Sequence, residues 1–226
     1  MSKKNKEGFE TRAIHAGQKA DPTTGAVMMP IYTSSTFEQE SPGVHKGFDY
    51  SRSINPTRKA FEECIASLEN GEVGFGFSSG VAAISACVEL LAPGDHVIAM
   101  NDLYGGTVRL FNEIKTLSQG IEVTYVDMTD IQNVLDAKTD KTKMIFVETP
   151  TNPLLRVVDL SAIADFAKSE GILSVCDNTF ASPYVQQPLS HGIDIVLHSA
   201  TKYLGGHSDL IAGALVIGKK DEELIA

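Results

Sequence analysis

The stretch Ile172-Leu-Ser-Val-Cys-Asp177-Asn-Thr-Phe180 is followed by a turn-rich connection and then by Ile193-Asp-Ile-Val-Leu-His-Ser199-Ala-Thr-Lys202-Tyr203. Each half begins with a short apolar run rich in β-branched residues, which predicts a buried strand. Ligands of open α/β sheets bind at the carboxyl ends of strands, so we expect Asp177 and Lys202 to face one pocket. For an isolated pair, a capping aspartate and a solvated lysine would be the simpler interpretation.

The composition of the 226-residue chain is that of an ordinary globular protein, with 42% apolar and 21% charged residues. Its formal charge of -10 argues against a nucleic-acid partner, which would require clustered Lys and Arg, and favours a small molecule. The charged start of the chain does not resemble a signal peptide, and no run is long enough to span a bilayer. We therefore expect a cytoplasmic protein without a membrane partner.

The three cysteines lie within apolar patterns and lack the spacing of metal ligands; they are Cys64, Cys87 and Cys176. Buried free thiols are therefore favoured over a zinc site or a disulfide, and we expect no metal.

Strands and helices alternate over most of the chain, which predicts an α/β fold: a mainly parallel sheet with helices on both faces. The expected strands are 72–77, 96–100, 121–126, 144–147, 172–176, 193–197 and 213–217. The expected helices begin after Pro56, Gly80 and Gly106 and also cover 131–137 and 160–169. The helix after Gly106 carries its apolar residues at Val108, Leu110, Phe111, Ile114 and Leu117.

The first 58 residues contain turn signals and no convincing long element, so we expect an extended arm in front of a domain formed by residues 59–226. A loop-rich segment of this length favours a functional or interface-forming loop. The arm contains aromatic, hydroxyl and arginine side chains, including Tyr50, Arg52 and Arg58, which suit an anionic ligand. A polar surface arm is equally compatible with these residues.

The turn Ser78-Ser79-Gly80 joins a predicted strand to a predicted helix. The first backbone N–H groups of a helix have no intrahelical partner, and with the serine hydroxyls they form a natural phosphate site. The segment lacks the Gly-Lys-Ser/Thr of a Walker loop and the glycine spacing of a dinucleotide fingerprint. A simple N-cap turn is the alternative interpretation.

The strand-end segments together offer a phosphate site, an aromatic residue, an Asn, an Asp and a Lys, and pyridoxal 5'-phosphate would use all of them. Lys202 would supply the amine for a Schiff base, and Asp177 would keep the ring nitrogen protonated. The hydroxyls of Ser199 and Thr201 would complete the phosphate site beside Ser79. Tyr104 would stack on the ring and exchange protons with the amine.

On these residues the chain resembles the Cys/Met-metabolism family of fold-type I pyridoxal-phosphate enzymes, which includes cystathionine γ-synthase, cystathionine γ-lyase, cystathionine β-lyase and methionine γ-lyase. The matching motifs cover nearly the whole chain. They are Tyr50-Ser-Arg52-Ser-Ile-Asn-Pro-Thr, Ser78-Ser-Gly80-Val-Ala-Ala, Asp102-Leu-Tyr104-Gly-Gly-Thr, Glu148-Thr-Pro-Thr-Asn152-Pro, Asp177-Asn-Thr179-Phe and Ser199-Ala-Thr201-Lys202-Tyr.

The resemblance implies a role for each matching residue. Lys202, Tyr104 and Asp177 would be catalytic. The cofactor would be bound by Tyr50, Arg52, Ser79, Gly80, Val81, Tyr104, Asn152, Asp177, Thr179, Ser199, Thr201 and Lys202. The substrate would be met by Asp49, Tyr50, Arg109 and Asn152. Because Tyr50 and Arg52 match residues that reach the cofactor of a neighbouring subunit, the arm would build a homodimer or a homotetramer.

The resemblance also favours particular members of the family. Methionine γ-lyases usually carry a cysteine where this chain has Gly106, which argues against that activity. Arg109 matches an arginine that meets the far carboxylate of cystathionine, although a surface ion pair is an equal interpretation of that residue. We expect formation or cleavage of the cystathionine C–S bond, of the γ-synthase or γ-lyase type. Cystathionine β-lyase, methionine γ-lyase and O-acetylhomoserine sulfhydrylase activities are the alternatives.

Chains of this family continue into a C-terminal domain that supplies an arginine for the substrate's α-carboxylate and a serine near the lysine. This sequence stops at Ala226, so we expect that domain to be absent. The cofactor residues would then be complete and the substrate site incomplete. A cofactor-binding remnant without turnover is therefore the alternative to an active enzyme.

Overall fold

The computed structural model describes residues 7–218. Its strands are β1 (Val73–Phe77), β2 (His96–Met100), β3 (Glu122–Val126), β4 (Thr142–Glu148), β5 (Leu173–Asp177), β6 (Ile195–His198) and β7 (Gly213–Ile217). Its α-helices are α1 (Phe9–His15), α2 (Pro56–Leu68), α3 (Gly80–Val88), α4 (Gly105–Arg109), α5 (Thr116–Gln119), α6 (Ile131–Ala137), α7 (Leu160–Glu170) and α8 (Ser182–Val185). A π-helical segment covers Leu110–Lys115, and a 3₁₀ turn covers Pro188–His191.

The seven strands form one sheet in the order β1-β7-β6-β5-β4-β2-β3. Strand β7 runs antiparallel to β1 and β6, and the remaining neighbours are parallel. The predicted mainly parallel sheet is therefore confirmed. The carboxyl ends of β4, β5 and β6 lie side by side at one edge of the sheet, where the sequence places Asp177 and Lys202.

Helices cover both faces of the sheet, as the sequence predicts. Alternate residues of β7 divide between two apolar clusters, because successive side chains of a strand point to opposite faces. Ala214 and Val216 pack with Ile65 and Ala66 of α2. Leu215 and Ile217 belong to the larger cluster, to which α3 contributes residues including Ala83 and Ile84. Strands β2, β6 and β7 are buried at every residue, because both of their faces are covered.

The helix expected after Gly106 is not a single α-helix. It consists of α4, the π-helical segment and α5, and the wider π turn rotates the residues that follow it. Leu110 and Phe111 are buried as an amphipathic helix requires, but Ile114 and Leu117 are 53% and 79% exposed. Lys115 is turned inwards instead, where it pairs with Glu89.

The arm differs from the prediction in containing the short helix α1, which packs against α2. Buried Arg12 of this helix donates to the carbonyl of Ser67 and to the amide oxygen of Asn70 at the end of α2. The rest of the arm is irregular and is fixed to the start of α2 by contacts such as Tyr32 N–H to Thr57 Oγ1 at 2.9 Å. The division of the chain at residue 58 stays a prediction.

The three thiols are free, as predicted, but they are not equally buried. Cys87 and Cys176 are buried, and burial raises the pKa of Cys87 to about 12. Cys64 is only half-buried, which contradicts the expectation of a core position. Its Sγ lies at the rim between two helices, 3.9 Å from the carbonyl oxygens of Arg12 and Ala13.

No helix within residues 7–218 combines the length and the apolar character that a membrane crossing requires. Across the same residues, no group of three or more His, Cys, Asp and Glu side chains is arranged to hold a metal ion.

Candidate active site

A cavity of about 710 Å³ opens at the carboxyl ends of the central strands. Ten of the residues predicted to bind the cofactor line it: Ser79, Gly80, Val81, Tyr104, Asn152, Asp177, Thr179, Ser199, Thr201 and Lys202. They come from the ends of β1, β4, β5 and β6 and from the loop after β2. The volume is within the range of small-molecule sites.

The turn before α3 presents backbone donors to this cavity. Ser79 is the N-cap, and its hydroxyl oxygen accepts the N–H of Ala82 at 3.1 Å. The N–H groups of Gly80 and Val81 have no backbone or side-chain acceptor among residues 7–218. The capping role and the anion site are therefore compatible, because the cap uses a lone pair of the hydroxyl and leaves its hydrogen free to donate.

Gly80 allows this turn to approach the segment after β6. A Cβ at Gly80 would lie 2.7 Å from the Cβ of Ser199, closer than real side chains allow. On the other side of the turn, a Cβ at Gly213 would lie only 2.1 Å from the carbonyl oxygen of Ser79. Two glycine contacts thus fix the position of the backbone donors relative to β6 and β7.

Asp177 ends β5 and is almost completely buried, with 6% of its surface exposed. Its Oδ1 accepts the hydroxyl of Thr179 at 2.5 Å and the N–H of Thr179 at 3.0 Å. Burial raises the pKa of Asp177, whereas the two Thr179 hydrogen bonds and the nearby imidazole of His198 oppose that rise. The Thr179 hydroxyl also accepts the N–H of Ser199 at 2.8 Å, so one side chain joins the ends of β5 and β6.

Lys202 lies in the turn after β6, where its N–H donates to the carbonyl of Ser199 at 3.1 Å. Within residues 7–218, no hydrogen bond or ion pair occupies its ammonium group, so the amine is available to a ligand in the cavity. Thr201 is less free than the sequence suggests. Its hydroxyl donates to the carbonyl of Ala212 at 3.2 Å and accepts the N–H of the same residue at 3.1 Å.

Tyr104 stands at the mouth of the cavity, directly before α4, with a partly exposed ring. The ring lies over Gly106, since a Cβ at that position would be 2.3 Å from the Tyr104 Cε1 atom. Any other residue at 106 would displace the ring. The absence of a side chain at 106, which the family resemblance relates to substrate choice, therefore has a direct structural effect on the predicted stacking residue.

Several cavity residues were not predicted, namely Ile84, Glu148, Phe180, Tyr203, Gly206, Ser208, Leu210 and Ile211. Glu148 ends β4, so the strand-end rule that identified Asp177 could also have identified it. The residues after Lys202 form an irregular loop between β6 and β7, and no periodicity marks them in the sequence.

Four predicted residues lie outside the cavity of this chain: Asp49, Tyr50, Arg52 and Arg109. The Arg52 guanidinium stacks over the Tyr50 ring, 4.9 Å from its centroid. Arg109 ends α4 and is exposed, with no ion pair to any residue of the described range 7–218. The surface ion pair that was the alternative for Arg109 is thus not formed within this range. The contacts of these four residues to cofactor and substrate stay predictions.

A buried polar network supports the turn after β5 from the α2 side of the sheet. Glu69, fully buried at the end of α2, accepts the His198 Nε2–H at 2.5 Å and the Asn178 side-chain N–H at 2.8 Å. Gln186 closes the turn by donating to the Asn178 Oδ1 at 2.9 Å. The second carboxylate oxygen of Glu69, Oε2, and the second ring nitrogen of His198, Nδ1, have no hydrogen-bond partner among the described residues.

Comparison with known proteins gives the chain a family. The model of the family "Cys/Met metabolism PLP-dependent enzyme" matches residues 10–225. A cystathionine beta-lyase of Coxiella burnetii is 58% identical over 94% of this chain and 55% of its own length. A cystathionine gamma-synthase of Mycobacterium leprae is 49% identical over 96% of this chain and 56% of its own length.

Among solved structures, the cystathionine gamma-lyase from Lactobacillus plantarum complexed with L-serine superposes with a TM-score of 0.92. It is 52% identical and covers 94% of this chain and 55% of its own. The chain thus spans little more than half the length of these relatives. It belongs to the Cys/Met metabolism family of PLP-dependent enzymes, as the sequence motifs predict.

Proposed function

We propose that this chain binds pyridoxal 5'-phosphate in the cavity at the carboxyl ends of its strands, as part of an enzyme that forms or cleaves the C–S bond of cystathionine. The observation that carries the proposal is the convergence, in one cavity, of free backbone donors, a buried carboxylate, a partly exposed tyrosine and an unpaired lysine. The names of relatives at 49–58% identity support this chemistry.

The residues of the cavity fit the cofactor in three places. The N–H groups of Gly80 and Val81, with the hydroxyl of Ser79, would hold the phosphate at the positive end of α3. Asp177 would hold a proton on the ring nitrogen by opposite charge. The amine of Lys202 would carry the cofactor covalently.

Bound pyridoxal phosphate supplies an electron sink for negative charge that develops on an amino-acid substrate. The chain's own residues would prepare that chemistry. Thr179 keeps the Asp177 carboxylate in place, Tyr104 covers the mouth of the cavity, and the Lys202 amine is placed to accept and return protons. Asn152 lines the same cavity, where the sequence predicts contact with cofactor and substrate.

We further infer a cytoplasmic protein that acts on a small sulfur amino acid and shares its site between two copies of the chain. Support for the shared site comes from the exposed arm. It carries Tyr50 and Arg52 outside the cavity, and Val27, Met28 and Ile31 are each more than two-thirds exposed. Several exposed apolar side chains within five residues of sequence are typical of an interface.

The test is a visible absorption spectrum of the purified chain with pyridoxal phosphate, then borohydride reduction and peptide mapping. We expect a yellow protein whose reduced adduct maps to Lys202. Lys202→Ala should abolish the adduct, whereas the matched change Lys168→Ala on the exposed face of α7 should leave it intact. A colourless wild-type chain, or an adduct that persists in Lys202→Ala, would refute the assignment.

A cystathionine assay on the loaded protein then separates the activities. Cleavage on the cysteine side yields, with water, a three-carbon keto acid, ammonia and homocysteine, and cleavage on the homocysteine side yields, with water, a four-carbon keto acid, ammonia and cysteine. Net synthesis would instead join cysteine to an activated homoserine. A yellow chain that does none of these, and that neither cleaves methionine nor joins sulfide to O-acetylhomoserine, would be the cofactor-binding remnant without turnover.

A further inference from the structure

Glu148 lies beside Asp177 in the cavity. The two residues end neighbouring parallel strands, β4 and β5, and are register partners. Register partners of a parallel pair point to the same face of the sheet, with strands about 4.8 Å apart. Both carboxyl groups are buried, with 5% of Glu148 and 6% of Asp177 exposed. The site therefore places two acids side by side where only one ring nitrogen would need a carboxylate.

Two carboxylates at such short range in a buried site cannot both ionise near neutral pH, because each charge raises the pKa of the other. The surroundings decide which one keeps the proton. Asp177 receives a hydroxyl and an N–H from Thr179 and lies near the imidazole of His198. These groups all favour its ionised form.

Glu148 has less support for a charge. It accepts the N–H of Tyr104 at 2.9 Å, and the N–H of Asn152 also favours its ionised form. Against these donors, burial, the charge of Asp177 and the charge of Asp102 raise the pKa of Glu148 to about 8. Lys202 also lines the cavity, but within residues 7–218 no ion pair joins its amine to Glu148 or to Asp177. Glu148 is therefore the acid that holds the proton.

The hydrogen bond from Tyr104 gives this acid a role. The bonded N–H belongs to the residue that would stack on the cofactor ring, immediately before α4. The ring of Tyr104 is partly exposed, so its position depends on its backbone and on its contact with Gly106. A buried acceptor beneath that N–H fixes the start of the helix relative to the end of β4.

We propose that Glu148 is a positioning residue of the cofactor site: its protonated carboxyl anchors the Tyr104 backbone and leaves Asp177 as the single negative charge for the ring nitrogen. The proposal rests on the proposed function for its cofactor, but its protonation step concerns the free chain alone. It therefore has one test without cofactor and one with it.

The first test measures urea unfolding of the cofactor-free chain and of Glu148→Gln from pH 6 to pH 9. A carboxyl whose pKa is raised in the folded state stabilises the fold at low pH and loses that contribution as pH rises through the folded value. Glutamine keeps the acceptor but cannot ionise. Relative to Glu148→Gln, the wild-type unfolding constant should therefore rise by at least about tenfold between pH 6 and pH 9.

Histidines and other groups titrate in both proteins and cancel from this difference. The matched control is Glu113→Gln, which changes an exposed glutamate of the π-helical segment. The ratio of the wild-type unfolding constant to that of this variant should not change between pH 6 and pH 9. A flat difference for Glu148→Gln as well would mean that Glu148 is ionised like an ordinary glutamate, and would overturn the protonation step.

The second test measures the dissociation constant of pyridoxal phosphate at pH 7. Glu148→Gln should bind within about threefold of wild type, and Glu148→Ala, which removes the acceptor, should bind at least about tenfold more weakly, since a lost hydrogen bond costs on that order. Unchanged binding in Glu148→Ala, or an equal loss in both variants, would overturn the positioning role. A wild-type chain that binds no cofactor would instead refute the proposed function, and the unfolding test would still stand.

Discussion

Replacing Gly213 by alanine tests whether the phosphate turn depends on the close approach of β7. The added Cβ would lie 2.1 Å from the carbonyl oxygen of Ser79, 2.5 Å from its carbon and 2.9 Å from the nitrogen of Gly80. All three atoms are backbone, so no side chain can rotate away. Because contacts below 3.0 Å are essentially never observed for a Cβ, the strand and the turn must separate by about 1 Å.

That separation should reduce both stability and affinity. Overpacking of a well-packed site costs about 1–3 kcal/mol, so the urea midpoint should fall accordingly. The N–H of Gly80 would move with the turn, and a hydrogen bond to a charged group contributes about 1.5–3 kcal/mol. Since about 1.4 kcal/mol corresponds to a tenfold change, pyridoxal phosphate should bind at least about tenfold more weakly to Gly213→Ala.

The assay is a pyridoxal-phosphate titration followed by fluorescence, paired with urea unfolding of the free chain. Gly218→Ala is the matched control, because Gly218 follows the same strand and its Cβ would meet only Leu189 Cδ2 at 3.8 Å. This control should unfold and bind like wild type. If Gly213→Ala also kept wild-type stability and affinity, the reasoning that the glycine contact positions the phosphate turn would be wrong.

Two further substitutions test the supports of the site. Thr179→Val removes the hydroxyl bonded to Asp177 and should weaken cofactor binding by about 1–3 kcal/mol in the same titration, whereas Thr179→Ser should retain it. Glu69→Ala leaves the buried ring of His198 without its partner and should lower the free energy of unfolding in urea by about 3–5 kcal/mol. Glu63→Ala on the exposed side of the same helix should change it by less than about 0.5 kcal/mol, and equal effects of the two glutamates would contradict the role given to the buried pair.

Local signals predicted the elements of the fold well. Strands β2 and β7 and helix α6 begin and end where the apolar patterns predict. The order of the strands could not be predicted in this way, because β7 inserts between β1 and β6 by packing its two faces against α2 and α3. The π turn was missed for a similar reason. A helical pattern specifies which residues are apolar, but a single widened turn changes which of them reach the core.

Some cavity residues could be predicted from local sequence patterns, and others could not. Asp177, Tyr104 and Lys202 directly follow strands or their turns, so the strand-end rule places them together without any knowledge of the sheet order. The loop residues Leu210 and Ile211 reach the cavity only because β7 returns antiparallel beside β6. Their position depends on a long-range pairing that no local pattern records.

The positions of Glu148 and Asp177 can be predicted from the sequence, but their protonation states cannot. Both follow from the same rule, since each ends a buried parallel strand. Their protonation depends instead on the register that makes them neighbours and on Thr179, whose hydroxyl and backbone N–H both donate to Asp177 and not to Glu148. A threonine at position 179 can thus determine which of two buried acids carries the charge. For this reason Thr179→Val should lower the pKa of Glu148 towards its ordinary value while it raises that of Asp177. In the Thr179→Val background, the ratio of the unfolding constants of the chains with Glu148 and with Glu148→Gln should therefore stop rising at a lower pH, and its rise between pH 6 and pH 9 should shrink.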